Sequence, residues 1–168
     1  MRVIRHLFVS SRRRFPPARL DTIQHAISAS EHRHRGEIVF AVEGSLPLAD
    51  VVRGRSARDR AHEVFARLRV WNTEHNTGVL IYLLLADHAI EIVADRGVAK
   101  EIPEREWTPI CALMEDYFRK GEYEHGALEG VAVALDELAG QEHDAARGIG
   151  GEVLVARVEQ LGELARER

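Results

Sequence analysis

The apolar and polar positions of this chain change period several times, and each change marks an element. Leu20, Ile23 and Ile27 recur at helical spacing behind Pro16-Pro17, which predicts a first helix opened by proline. The polar run "SEHRHRGE" ends it at Gly36. "IVFAVE", Ile38 to Glu43, is a β-branched and aromatic run that predicts a buried strand. "GSLPLADVVRG" reads as a loop. Ser56 then caps a second helix that places Ala61, Val64, Phe65 and Leu68 on one face. "GVLIYLLLA", Gly78 to Ala86, is apolar on both faces, as a strand covered on two sides must be. Ile90 to Ala94 follows as its hairpin partner across a two-residue turn, Asp87-His88.

Pro103, followed by Glu104 and Glu106, starts a third helix with the charges its dipole favours. Trp107, Ile110, Cys111, Met114 and Phe118 form its stripe, which reads as core, and Gly121 ends it. Leu128, Val131, Leu135 and Leu138 predict a fourth helix that stops at Gly140. After "RGIGG", Leu154, Val158 and Leu161 suggest a last amphipathic helix.

The second helix joins the first two strands, so these run parallel through a right-handed crossover. The hairpin makes the third strand antiparallel to the second. The expected fold is α/β: a three-layer α/β/α sandwich on a small mixed sheet, followed by C-terminal helices. Three regions are expected: a basic arm over residues 1–14, the α/β/α domain over 15–140, and a C-terminal amphipathic helical extension over 141–168.

This topology gathers three polar segments at one end of the sheet: "SEHRHRGE" before the first strand, "TEHNTG" before the second, and "ADRG" after the third. Glu31, His32, His34, Glu37, Glu74, His75, Asn76, Asp95 and Arg96 are thereby pooled. Carboxylate and amide oxygens around a small-residue turn suit Ca²⁺ or Mg²⁺. The histidines leave Zn²⁺ or Mn²⁺ open, and the fork of Arg96 suits a phosphate. The other reading is a set of strand caps and exposed ion pairs contributing little. No spacing is a metal signature: "HRH" is weak, and there is no His-Glu-x-x-His or EF-hand loop.

Composition narrows the partners. The 168 residues, 45% hydrophobic and 30% charged, suit one soluble domain. The lone Cys111 precludes an internal disulfide. No apolar run approaches a membrane span, and the N-terminus has no signal-peptide core, so a cytoplasmic location is expected. Charge is uneven: residues 1–70 hold 14 Lys/Arg against 7 Asp/Glu, and residues 71–168 hold 9 against 20. Nucleic-acid binding would rest on that asymmetry alone. The helical spacing of Arg53, Arg60 and Arg67 reads instead as a solvated face. "RRR" at 12–14, beside Phe8 and Phe15, is the place where contact with a membrane surface is plausible. No Walker, G-x-S-x-G or G-x-G-x-x-G pattern is present. Cys111 reads as inert core, and Trp71 and Trp107 as anchors at helix ends.

The stretch "NTGVLIYLLLADHAIEIVADRG" resembles the TPM domain family. So do "SEHRHRGEIVFAVE", "RDRAHEVFARLRVWNTE" and "WTPICALMEDYFRKGEYEHGALEGVAVALDEL". The resemblance runs from about Phe15 to Leu138 and looks most like the short, stand-alone bacterial branch. It implies an α/β/α sandwich, Ca²⁺ or Mg²⁺ binding, and phosphatase or nucleotide-hydrolysing activity in some members. Other members act in photosystem maintenance or as receptor-associated proteins, so the fold does not fix the activity. The family's turn before the central strand often reads Asp-Asn-Gly. Here Asn76 and Thr77 precede Gly78, and loss of that carboxylate weakens a cation site. Asp95 and Glu74 are left to compensate.

Two expectations follow. In the first, a metal-assisted phosphoester hydrolase acts on a phosphorylated small molecule. Glu37, Asn76 and Asp95 hold the cation, Arg96 binds phosphate, and Glu31 or His34 helps activate water. In the second, the chain is a non-catalytic module. It binds a protein partner or a second copy through the C-terminal helix, or the membrane periphery through the N-terminal arm.

Overall fold

The two strongest apolar runs become the two central strands. The structure, a computed structural model, describes residues 2–28, 37–140 and 154–157. Strand β1 (Glu37–Glu43) pairs in parallel with β2 (Gly78–Leu84), in register from Glu37 opposite Gly78 to Glu43 opposite Leu84. Strand β3 (Ala89–Ala94) returns antiparallel to β2. The expected sandwich and its strand–helix–strand crossover are present.

Strand alternation sorts the core into two layers. Ile38, Phe40 and Val42 of β1 and Val79, Ile81 and Leu83 of β2 face one cluster, filled by α3 (Pro17–Ser28), α7 (Glu104–Arg119) and α8 (Tyr123–Gly140). Val39 and Ala41, with Leu80, Tyr82 and Leu84, face the other, covered by Ala61 and Val64 of α5 (Ala57–Arg67) and by Val51. The α5 N-terminus carries a capping box: Ser56 Oγ accepts from the Asp59 N–H, and the Asp59 carboxylate accepts from the Ser56 N–H. Helices α7 and α8 approach closely because Gly130 faces Met114, whose side chain fills the space a Cβ would need.

The basic arm of residues 1–14 is helical, as α1 (Arg2–Phe8) and α2 (Ser11–Arg14). Four local expectations are corrected. The loop after β1 contains α4 (Leu48–Val52), and a short α6 (Arg96–Glu101) follows β3. Both are too brief to display a helical period. The hairpin connection is four residues, Leu85 to His88, because ladder pairing ends at Leu84 opposite Ala89, and His88 takes the left-handed conformation at φ 54°.

The fourth correction is topological. Leu154–Arg157 forms β4, parallel to β1, where a helix was expected. The sheet order is β3-β2-β1-β4. A fully buried strand cannot leave one backbone edge unpaired without losing its hydrogen bonds, and β4 supplies that edge. The run "VLVA" has strand character that the helical spacing of Leu154, Val158 and Leu161 obscures. The rest of the proposed extension, 141–153 and 158–168, lies outside the described residues.

Candidate functional site

Two of the three polar segments, with Glu37 of the other, meet at the amino ends of β1 and β2. The turn before β2 is tied into a knot of short-range bonds. Thr73 Oγ1 accepts from the Thr77 N–H at 2.8 Å, and Asn76 takes φ 56°. Asn is among the few residues that adopt this conformation readily. The Thr77 carbonyl accepts from the Glu37 N–H at 3.3 Å, which brings the start of β1 to the turn. From the other side, the Asp95 N–H donates to Gly78 O at 2.8 Å and the Gly97 N–H to Asn76 O at 3.0 Å. Gly97 is required here: a Cβ would collide with the carbonyl oxygens of His75 and Asn76.

Asp95 caps α6, its Oδ1 accepting from the Arg96 N–H at 2.7 Å. Arg96 Nε in turn donates to Asn76 Oδ1 at 2.9 Å. Asn76, Asp95 and Arg96 are therefore held together, with Glu37 across the ladder from Gly78. Glu74 and His75 are exposed beside them, 4.0 Å apart. Glu31, His32 and His34 lie outside the described residues.

Among the described residues, Asp95 Oδ2 is the buried side-chain polar atom left without a hydrogen-bond partner. Buried carboxylate oxygens are normally satisfied, and a hard cation is one group that satisfies them. The donor set fits such a cation in part. Asp95 Oδ2 is available, but Asn76 Oδ1 already accepts from Arg96. No group of three His, Cys, Asp or Glu side chains among the described residues is arranged to hold a metal.

The opposite end of the sheet holds polar residues that the sequence pattern hides. Glu43, the last residue of β1, is buried and accepts from Arg60 Nε at 2.9 Å, Arg60 Nη2 at 2.8 Å and Tyr82 Oη at 2.6 Å. Arg60, expected on a solvated face, is 6% exposed. Burial opposes its charge, but the bonds and charge of Glu43 outweigh that and hold its pKa above the ordinary arginine value. Burial, reinforced by the Glu43 charge, pushes the Tyr82 phenol well above its usual range.

A second polar group clasps α1 to the hairpin. Arg2 Nε and Nη2 donate to Asp87 at 3.0 and 2.7 Å, and Arg2 Nη2 also reaches Arg55 O. The Leu46 N–H donates to His6 Nδ1 at 2.9 Å, so the ring proton sits on Nε2, 3.0 Å from Asp87 Oδ1. Burial would raise the Asp87 pKa, but bonds from Arg2 and His6 outweigh it and hold the carboxyl below its ordinary value. A signal for both groups existed in the sequence: a Glu closing an apolar strand and an Asp in a hairpin turn each need a partner when buried.

Beside this end lies a cavity of about 450 Å³, lined by Leu83, Leu85, Ile90, Phe118 and Tyr123 with Arg14 and Arg119. Its arginines are already engaged: Arg14 lies over the Tyr123 ring at 5.5 Å, and Arg119 pairs with Asp116. Cys111 is half-buried, and burial pushes its thiol up to about 11, which leaves it inert near neutrality. Trp107 is buried as an anchor of α7, whereas Trp71 is half-exposed.

Solved structures share this architecture. The BA42 protein of the psychrophilic bacterium Bizionia argentinensis superposes with a TM-score of 0.66 at 23% identity, over 89% of this chain and 96% of that one. The N-terminal domain of a protein from P. gingivalis gives 0.61 at 21%, over 79% and 82%. At these identities the likeness is one of fold. No curated protein matches the chain. The TPM domain family model matches residues 11–137, which span α2 through most of α8. The resemblance in the strands and the turn before β2 is thus one of descent: the chain belongs to the TPM domain family.

Proposed function

We propose that this protein is a TPM-domain phosphoester hydrolase assisted by Ca²⁺ or Mg²⁺ at the amino ends of β1 and β2. The observation that carries the reading is the orphaned, buried Asp95 Oδ2 beside the bonded pair Asn76–Arg96. In this reading Asp95, Glu37 and Asn76 hold the cation, which when bound offsets negative charge on a phosphoryl group. Arg96, exposed and tethered through a single Nε bond, keeps its Nη donors for phosphate oxygens. Glu31 or His34 takes the proton of the attacking water; the bond from phosphorus to the ester oxygen breaks, and solvent protonates the leaving group.

The test is phosphate release from an aryl phosphate and from nucleotides, with and without Ca²⁺ or Mg²⁺. Metal-dependent turnover that falls at least about tenfold in Asp95→Asn and in Arg96→Gln is expected, the scale of one lost electrostatic contact. Absence of metal-dependent release by the wild-type protein contradicts the proposal.

The competing reading is a non-catalytic interaction module. One observation favours it: Asn76 stands where the family often has Asp, and its oxygen is already occupied by Arg96. A wild-type protein that binds cation without hydrolysing any phosphoester would support it.

A further inference from the structure

We propose that α1 and α4 together form a docking surface for an anionic lipid bilayer. Five of the large apolar side chains that stand exposed among the described residues belong to these two short helices: Val3, Ile4 and Leu7, with Leu48 and Val52. Such residues are individually ordinary at a surface, but their clustering is not. Ile4, Leu7 and Val52 are 61%, 59% and 73% exposed, so the faces are open and not merely grazed by solvent.

The two helices lie side by side. Arg2, at the start of α1, bonds the Arg55 carbonyl beyond the end of α4, and His6, near the end of α1, receives the Leu46 N–H before α4 begins. Helix α1 therefore runs antiparallel along α4. Val3, Ile4 and Leu7 occupy one side of α1 and the buried His6 another; Leu48 and Val52 stand one turn apart on α4, whose Val51 is buried. The Asp87 clasp fixes α1 with its polar contacts inward and its aliphatic side outward.

Charge identifies the occupant. Arg5 on α1 and Arg53 at the end of α4 are exposed, and neither side chain enters an ion pair among the described residues. Arg12 and Arg13 extend the same exposed, unpaired charge into α2. Residues 1–20 contain six arginines and no Asp or Glu, in a chain whose net charge is −4. A ridge of aliphatic side chains flanked by arginines matches the boundary between acyl chains and acidic headgroups. No described helix is long and apolar enough to cross a membrane, so the contact is peripheral.

The experiment is flotation of the full chain with phosphatidylcholine vesicles, with and without about one-third phosphatidylglycerol, at low and high salt. The wild-type protein is expected to float with the anionic vesicles only, and less so at high salt. Ile4→Ser/Val52→Ser should reduce the bound fraction at least tenfold, and Arg5→Glu/Arg53→Glu should remove the salt-sensitive part. Trp71→Ser/Val133→Ser, which alters exposed apolar residues elsewhere, should bind as the wild type does. Circular dichroism of each variant keeps unfolding separate from lost docking. Failure of the wild-type protein to bind anionic vesicles overturns the proposal, as does undiminished binding by Ile4→Ser/Val52→Ser. A concentration-dependent dimer abolished by that same variant would assign the face to a second copy and overturn it equally.

Discussion

At the carboxyl ends of β1 and β2, the carboxylate of Glu43 receives three side-chain hydrogen bonds, two from Arg60 and one from Tyr82. At the amino ends, the carboxylate of Asp95 receives one, from the backbone, and its Oδ2 receives none. The first arrangement is complete and needs nothing further. The second lacks a donor where burial ordinarily demands one. Both ends collect polar residues because strand ends always do. What separates an internal ion pair from a candidate binding site is whether the protein itself satisfies the charge.

That contrast is broken most forcefully at the closed end. Arg60→Ala strands Glu43 in the core, and urea unfolding should register a loss of about 3–5 kcal/mol. Replacing both partners, as Glu43→Met/Arg60→Met, should cost less than either single change, because no charge is left buried alone. A double variant as unstable as the singles would deny that pairing dominates. Tyr82→Phe, which removes one bond to a charged acceptor, should cost about 1.5–3 kcal/mol in the same assay.

At the open end the backbone is the vulnerable part. Gly97→Ala must displace the turn carrying Asn76, at a cost of about 1–3 kcal/mol typical of overpacking, and should remove cation binding along with it. Asp95→Asn is subtler. It keeps a competent helix cap, so its stability should stay within about 0.5 kcal/mol of wild type, against a loss of about 0.5–2 kcal/mol for Asp95→Ala. Cation binding should vanish in both. If Asp95→Asn bound cation like the wild type, the orphaned oxygen would have no such role.

The Asp87 clasp gives the smallest and most pH-dependent effect. Its folded-state pKa is depressed, so its contribution is present above the ordinary carboxylate pKa of about 4 and is lost as pH falls through the lower folded value. The stability curves of wild type and Asp87→Asn should therefore draw together as pH falls below about 4. A gap that stays constant as the pH falls would show that ionisation of Asp87 contributes nothing.

Much of the fold was legible because its signals are local. The continuous apolar runs from Ile38 and Gly78 could only be strands buried on both faces, and Ser56 announced the start of its helix. The partners of Glu43 were not legible: Arg60 and Tyr82 lie 17 and 39 residues away, and only the folded sheet brings them together. Strand β4 was missed because Leu154, Val158 and Leu161 also satisfy a helical period, and short strands carry little pattern of their own. Of the site, the pooling of Asn76, Asp95 and Arg96 followed from topology. The occupied Asn76 oxygen and the unsatisfied Asp95 Oδ2 depend on side-chain directions that no spacing encodes.

The most direct test is a titration of Ca²⁺ and Mg²⁺ into metal-stripped protein, followed through backbone amide NMR shifts. Saturable shifts confined to residues 31–37, 73–78 and 95–97, with Glu43, Arg60, Tyr82 and Asp87 unmoved, are the predicted result. A flat titration of the folded protein, or shifts centred on the closed end, would contradict it.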